Sequence, residues 1–415
     1  MHQGQIQMSV HDFARRVDYA TALGLVLAHA RQTPQPVTRV PLAQTTGRVA
    51  AHAVQATSAR PPADISALDG YAFAHADMLA QGSLPVDGRT VAGDRPAALA
   101  AGHARAILTG ARIPAGADCV MAVERMTQGA GDQVGPATAL AQAGANIRYR
   151  GEEFGAGDVL VRPGQVLDWR HVALLASQGM RDVAVARRPR VCVLSNGAEL
   201  AADAPGACAD SNTPMLAAML GSAGARVRTC SVASDDVAMQ AAHLRAACTG
   251  TDVVVTTGGI SVGGTDHMLD ILLAMGARIV FRGVSIRPGN PFTMLEHDGR
   301  AVFCLPGNPG AAAICALAFV QPYLRVLTGA PVDMAQVSAT ADFSADAPPD
   351  TTGFIPVSMR RGPQGWHFVR VPTAGASDII AFSRADALLA ASAENPVRAG
   401  QVAWAIPLHA PSALA

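Results

Sequence analysis

The spacing of apolar residues changes several times along the chain, and each change predicts a different kind of element. Between residues 10 and 30, Val10, Phe13, Val17, Ala20, Leu23 and Leu27 recur every three or four positions, which predicts an amphipathic helix across that stretch. The following "RQTPQPVTRVPLAQTTGRVAAHAVQA" is rich in Pro and Thr and reads as turns and short strands. From about 58 to 145 short β-like runs such as "RAILTG" and "DCVMAVE" alternate with Gly and Pro punctuation. A helical period returns in "DWRHVALLASQGM", 168 to 180, with a Gly stop near its end.

Residues 189 to 328 have another rhythm. Continuous apolar runs, "RVCVL" at 190, "RVRTCSV" at 226, "DVVVTT" at 252, "RIVFRGVSI" at 278 and "AVFCL" at 301, predict five strands. Helical stretches at 212–223, 236–248 and 266–276 fall between most of them, and another at 310–325 follows the last. Strands with no polar alternation, interleaved with helices, predict a parallel sheet covered on both faces. Beyond residue 331 the chain returns to short β-like segments, as in "GFIPVSMRRGPQGWHFVRV", and a small β domain is expected there.

Composition narrows the chemistry. Half of the 415 residues are hydrophobic and 15% are charged, enough for several cores. Basic and acidic residues balance at 32 each and aromatics are 4%, which argues against nucleic acid as the main partner. Every basic residue is arginine, so a lysine-dependent phosphate loop, a Schiff base and a lysine general base are excluded. The seven cysteines are scattered without a CxxC pair, the pattern of neither a disulfide framework nor a zinc site. No signal-like h-region or run of 18 apolar residues occurs, so a cytoplasmic protein without membrane segments is expected.

In a parallel sheet, ligands sit beyond the carboxyl ends of the strands. "SNGAEL" (195–200), "ASDD" (233–236), "TTGGISVGGTD" (256–266), "RPGNPF" (287–292) and "LPGNPG" (305–310) are the loops expected on that edge. Gly258, Gly259, Gly263 and Gly264 suit close backbone approach to a phosphate, or are simply turn glycines. Asp266 reads as a helix N-cap or, with Asp235 and Asp236, as a Mg²⁺ carboxylate. Glu199 reads as a solvated acid or a site acid. Arg287 and Asn290 can hold an anion, or Arg287 can make a structural ion pair. Pro306, Gly307 and Asn308 form a rigid turn, or a helix entry capped by Asn308.

Two further clusters precede the sheet region. "SALDGYA" places Asp69 beside Gly70, and "NIRYRGEEF" gathers Arg148, Arg150, Glu152 and Glu153 in nine residues. Each is open to a bland reading, as a turn and as a solvated face.

Together, "SALDGYA", "ILTGARIPAGADCV", "NIRYRGEEF", "TTGGISVGGTDHM", "RPGNPF" and "LPGNP" resemble, in order and spacing, the motifs of the bacterial MoeA family. These are molybdopterin molybdenumtransferases related to the E domain of gephyrin, and the resemblance runs from about residue 8 to 410. It implies an α/β multidomain protein. The expected parts are a discontinuous mixed α/β dimerisation domain (1–57 and 145–186), an inserted β-rich domain (58–144), a MogA-like parallel-sheet molybdopterin-binding domain (187–330) and a small C-terminal β-barrel (331–415). The implied reaction converts adenylylated molybdopterin and molybdate to molybdenum cofactor with release of AMP, assisted by Mg²⁺. A homodimer is implied, with Asp69 and Glu153 reaching the cleft of the partner subunit. A MogA-type adenylyltransferase and apo-molybdoenzymes are the implied protein partners.

By motif match, the expected catalytic residues are Asp69, Glu153, Glu199, Asp266 and Arg287, with Asp266 and Glu199 as metal ligands. Thr109, Arg148, Ser195, Asp235, Gly258, Gly259, Ser261, Gly263, Asn290, Pro306, Gly307, Asn308, Ser377 and Ser383 are the expected substrate contacts. The chain departs from the family pattern at several of these places. TGDEL reads "SNGAEL", with Ala198 for the aspartate; RGED reads "RGEEF"; and two usual lysines are Arg287 and Asn290. In "GASDIIAFSRAD", Ile380 and Ala381 stand where a Ser-Ser pair is expected. These departures motivate an alternative, a MoeA paralogue that binds molybdopterin or nucleotide as carrier or regulator.

Overall fold

The computed structural model describes residues 16–197, 200, 208–234, 236–259, 267–332, 336–363 and 365–408. They fall in two compact units, one built from Met1–His52, Pro163–Val172 and Asp182–Ala415, the other from Ala53–Arg162 and Ala173–Arg181.

The first unit contains the α/β sheet. Its elements are β1 (Arg190–Asn196), α1 (Asn212–Ser222), β2 (Arg226–Val232), α2 (Val237–Cys248), β3 (Val253–Thr257), α3 (Met268–Ala274), β4 (Arg278–Arg282), β5 (Thr293–His297), β6 (Arg300–Leu305) and α4 (Pro309–Cys315). The strand order is β2-β1-β3-β6-β5-β4. Alternate residues of the strands feed two different cores. Val191, Val193, Val253, Val255 and Phe303 face a cluster completed by Leu216 and Leu220 of α1 and by apolar residues between 312 and 327. Cys192, Leu194, Val254, Val302 and Cys304 face another, completed by Leu244 of α2 and Met268, Ile271 and Leu272 of α3. Both faces being covered is why the strands carry no polar alternation. Burial pushes the Cys304 thiol up to about 12, so it behaves as a small apolar residue.

The helical run Pro309–Leu327 has a mean hydropathy of 1.5 and passes, by length and composition, for a membrane span. Here 83% of it is buried, in the core on one face of the sheet. Phe319 stacks on Phe292 at 4.7 Å and Phe303 meets Tyr323 edge-on at 5.1 Å, so aromatic packing joins this run to the sheet.

Two expectations are corrected. The first helix spans Tyr19–Gln32 rather than the whole of 10–30. Asp18 caps it, accepting from the Thr21 N–H at 2.8 Å, and Val17 is committed to a parallel bridge with Val284. Residues 1–15 lie outside the described set. The sheet is also not wholly parallel. β5, which the sequence pattern did not reveal, runs antiparallel between β6 and β4. "RIVFRGVSI" splits accordingly: Arg278–Arg282 stays in this sheet, while Ile286–Arg287 pairs with Thr352–Gly353 of the C-terminal sheet. Gly283, at φ +78°, marks the break.

That C-terminal sheet is a closed five-stranded barrel. Thr352–Gly362 pairs with Gly365–Arg370 and with Ala387–Ala391, and Val402–Pro407 and Val337–Ala341 complete the ring. Closure leaves no unpaired sheet edge in the ring.

The second unit carries a six-stranded sheet in which Gly70–Phe73 lies between Cys119–Ala122 and Ala104–Ile107. Tyr71, Phe73, Met121 and Leu84 fill one side of it. Gly70 is fixed by sterics: a Cβ there would lie 2.0 Å from the Met121 carbonyl oxygen, a backbone atom with no rotamer to change. Gly70→Ala is therefore expected to destabilise this unit by roughly 1–3 kcal/mol, toward the upper end. Urea unfolding checks it, and an unshifted midpoint would contradict the packing described.

Candidate functional site

Three parallel strands end at the same level. Ser195 of β1 is paired with Thr257 of β3, and Thr257 with Leu305 of β6, so the loops after them begin side by side. The chain can turn after Thr257 because Gly258 lacks a Cβ. Its φ is +85°, and a Cβ would stand 2.3 Å from the Asn196 carbonyl oxygen. Thr257 donates its hydroxyl to the Pro306 carbonyl at 3.0 Å. Asn212, at the start of α1, spans both loops, its Nδ2 donating to Thr257 Oγ1 at 2.9 Å and to the Gly307 carbonyl at 2.7 Å.

Behind this edge lies Asp210. Its Oδ1 accepts from Ser195 Oγ at 3.1 Å and the Thr213 N–H at 3.0 Å, and its Oδ2 from Thr213 Oγ1 at 2.6 Å and Ser231 Oγ at 2.8 Å. Partial burial pushes its pKa up, but these donors outweigh that and hold the carboxyl below its ordinary value. Ser195 is only 2% exposed, and its hydroxyl is turned to Asp210 and Thr213. Two buried amide oxygens, Asn196 Oδ1 and Asn212 Oδ1, meet no donor among the described residues. Sequence reasoning passed over Asp210, Asn212 and Thr257. The signal was "DSNTP", a cluster of capping residues directly ahead of a helical period.

The loop from 283 to 292 leaves β4 toward the same edge. Arg287 is exposed and makes no ion pair among the described residues. Gly289, at φ +119°, lies where a Cβ would meet Cys315 Sγ and Ile286 Cδ1 at 2.8 Å. With its amide in the orientation that matches donor to acceptor, the Asn290 oxygen accepts from Arg16 Nη1 at 3.0 Å and Nη2 at 3.2 Å. Asn308 occupies the N-cap position of α4, with Pro309 next, but its side chain makes no cap bond. It accepts instead from Ser377 Oγ at 2.8 Å. Gly310 allows this approach, because a Cβ would lie 2.8 Å from the Ala376 carbonyl oxygen. Ser383 donates to the Ile380 carbonyl at 2.8 Å, while Ile379 and Ile380 are exposed.

Of the remaining residues picked from the sequence, Gly259 follows Gly258 with φ +72°. Glu199, Asp235, Ser261, Gly263 and Asp266 lie outside the described residues, as do Ala198 and Gly264. Asp236 caps α2, accepting from the Met239 N–H at 2.7 Å. Among the described residues no group of three His, Cys, Asp or Glu is placed to hold a metal ion.

In the second unit, the structure bonds Asp69 to Thr109, from separate motifs, and Glu153 to Arg148, from a single one. Asp69 Oδ1 accepts from Thr109 N at 2.7 Å and Thr109 Oγ1 at 2.6 Å, and these bonds hold its carboxyl below the usual range. Glu153 accepts from Arg148 Nη2 at 2.6 Å and from Arg60 Nε at 2.7 Å. The Arg148 bond is foremost in lowering its pKa. Arg60 was not anticipated; it sits just ahead of the Pro pair in "RPPAD" and pairs through its backbone with Phe154.

A family model described as "MoeA N-terminal region (domain I and II)" matches residues 17–179, and one described as "Probable molybdopterin binding domain" matches residues 192–326. The chain belongs to the MoeA family. Proteins named molybdopterin molybdenumtransferase from Staphylococcus epidermidis and Staphylococcus aureus are each 34% identical to it over 228 residues, 54% of this chain and 54% of theirs. The match thus spans about half the length of these curated relatives. A solved MoeA protein from Pyrococcus horikoshii is similar at a TM-score of 0.78 and 26% identity, covering 95% of this chain and all of that one. A second MoeA structure from that organism, at a TM-score of 0.75 and 24% identity, shares the fold over 94% of this chain and 99% of its own. The MogA-like α/β domain, the β-rich regions and the C-terminal barrel are accordingly MoeA architecture.

Two substitutions probe the geometry of this MoeA protein. Asp210→Ala leaves three hydroxyls without their acceptor and is expected to cost roughly 1–3 kcal/mol at neutral pH. Because the folded carboxyl titrates below its ordinary 3.8, this contribution is present above that value and is lost as pH falls through the lower folded pKa. Thermal unfolding of both proteins across acidic pH should show the gap closing; a gap constant with pH would exclude the charge as its source. Thr109→Val should raise the Asp69 pKa toward 3.8, read by carboxyl-carbon NMR titration, because the hydroxyl donor is gone and the amide remains.

Proposed function

We propose that this chain is a molybdopterin molybdenumtransferase, inserting molybdate into adenylylated molybdopterin to give molybdenum cofactor and release AMP. The observation that carries this reading is the union, in one chain, of the MoeA N-terminal region and the molybdopterin-binding domain, with a whole-length structural likeness to a solved MoeA protein. The sheet edge supports it. Gly258 lets the loops after β1 and β3 approach closely, and the two donor-free amide oxygens at that edge, Asn196 Oδ1 and Asn212 Oδ1, suit the N–H groups of a pterin. Arg287 offers an exposed guanidinium for an oxyanion.

The catalytic assignment comprises Asp69, Glu153, Glu199, Asp266 and Arg287. Asp69 and Glu153 are already ionised and oriented by Thr109, Arg148 and Arg60, so they need no proton change to act as acceptors. Mg²⁺ belongs to this reading with Glu199 and Asp266 as its carboxylates; bound there, it would neutralise phosphoanhydride charge. We place the protein in the cytoplasm as a homodimer whose subunits exchange Asp69 and Glu153, with the four-part domain plan of the resemblance. The supply of adenylylated substrate by a MogA-type enzyme and delivery to apo-molybdoenzymes complete the proposal.

The direct test incubates the purified protein with adenylylated molybdopterin, Mg²⁺ and molybdate, and follows AMP release together with reconstitution of an apo-molybdoenzyme. Both signals are expected. Tight binding without AMP release, beside a working control enzyme, would favour the carrier reading that Ala198 and Asn290 motivate. Asp266→Asn should cut turnover at least ~10-fold while leaving ligand binding nearly unchanged. Mixing Asp69→Asn and Asp266→Asn proteins should restore part of the activity through hybrid dimers; no recovery after subunit exchange would contradict the shared site.

A further inference from the structure

The opposite edge of the α/β sheet carries a cavity that the reaction above does not use. Its volume is about 1050 Å³, the scale of a small-molecule site, and five of its eleven lining residues are arginines. Arginine supplies only 32 of the 415 residues of the chain, so this density exceeds what composition explains. Arg187, Arg188 and Arg190 come from "RRPR" at the entry to β1, Arg226 opens β2, and Arg48 reaches in from the loop before residue 49. Arg190 and Arg226 are register partners at the first residues of their strands. They therefore stand about 20 Å along the strands from the edge that carries Asn196 and Gly258.

One carboxylate moderates this charge. Asp252 accepts from Arg187 Nη2 at 2.8 Å and from Arg190 Nη2 at 3.1 Å and its backbone N–H at 2.7 Å. Arg48 donates to the Ala186 carbonyl at 2.9 Å, which fixes its fork. Arg188 and Arg226 are exposed and have no ion-pair partner among the described residues. Burial and the like charge of Arg188 pull the Arg48 guanidinium below its ordinary value. Like charges gathered around a concave surface focus a positive potential into it, and guanidinium forks match phosphate oxygens in pairs. Thr38 and Thr46 add hydroxyls to the wall. A flat basic stripe would suit a long polyanion; an open, concave site of this size suits a short one.

We propose that this cavity binds a linear oligophosphate, free or carried by a nucleotide, with Arg188 and Arg226 as its mobile clamps and Arg48 as its fixed one.

The test is titration of the full-length protein with inorganic triphosphate, ATP and AMP at low and high salt. Triphosphate and ATP should bind, more weakly as salt rises, with AMP at least ~10-fold weaker because it offers a single phosphate. The Arg188→Gln, Arg226→Gln double variant should lose at least ~10-fold of triphosphate affinity, and the Arg188→Lys, Arg226→Lys variant should recover part of it. Unaltered thermal unfolding separates this loss from misfolding. Arg287→Gln, at the other edge, should leave triphosphate affinity unchanged, which keeps this inference separable from the proposed reaction. Absence of triphosphate binding, retention by the double Gln variant, equal affinity for AMP, or loss in Arg287→Gln would each overturn it.

Discussion

The level ending of β1, β3 and β6 is the constraint on which the candidate site rests, and it depends on a missing side chain at Gly258. The parallel register brings Asn196, Thr257 and Leu305 to one edge. Any Cβ at 258 would then press on the Asn196 carbonyl oxygen, forcing the loops apart. Asn212 locks what the glycine permits, tying Thr257 and Gly307 through a single amide. Asp210 in turn sets the start of α1, and with it Asn212. The edge is therefore a chain of short polar contacts standing on two apolar cores, and its precision comes from sheet register rather than from loop rigidity.

Much of this organisation was legible in the sequence. The unbroken apolar runs of β1, β3 and β6 correctly signal burial on two faces, and the parallel strand pattern places the loops after them on one edge. What escaped has physical reasons. β5 is an antiparallel strand inside a mostly parallel sheet, and "TMLEH" is too short and too mixed to announce itself. The segment 278–286 looked like one strand because β propensity does not register which sheet a residue joins; only Gly283 hinted at the break. Val17 fitted a helical period yet is taken by a bridge to Val284, a tertiary pairing that local spacing cannot reveal. Of the site, Asp69 and Thr109 were chosen for separate motifs and prove to be bonded, while Arg148 and Glu153, chosen from one motif, form an ion pair. Asp210 was missed because a lone Asp before a helix carries no chemistry until its three hydroxyl donors are known.

An arginine-only chain handles charge in a particular way. Arginine stays protonated and presents a planar fork, so it serves as readily in fixed pairings as in binding. Arg60 and Arg148 orient Glu153, while Arg187 and Arg190 share Asp252. At Asn290, where the resemblance leads one to expect a lysine, this chain has an amide whose oxygen, turned toward Arg16, can hold that guanidinium. A cation thus remains beside that loop, delivered from a different part of the sequence.

The two-residue strand Ile286–Arg287 has a mechanical meaning. Just before it, Val284 is bridged to Val17 and the Ser285 carbonyl accepts from the Thr352 N–H at 3.0 Å, and the strand itself pairs with Thr352 and Gly353 of the barrel. The segment bearing Arg287 is therefore a tie-bar between sheet and barrel rather than a free loop. Its guanidinium is thus carried on backbone held at both ends, by the bridge to Val17 and by the pairing with Thr352 and Gly353.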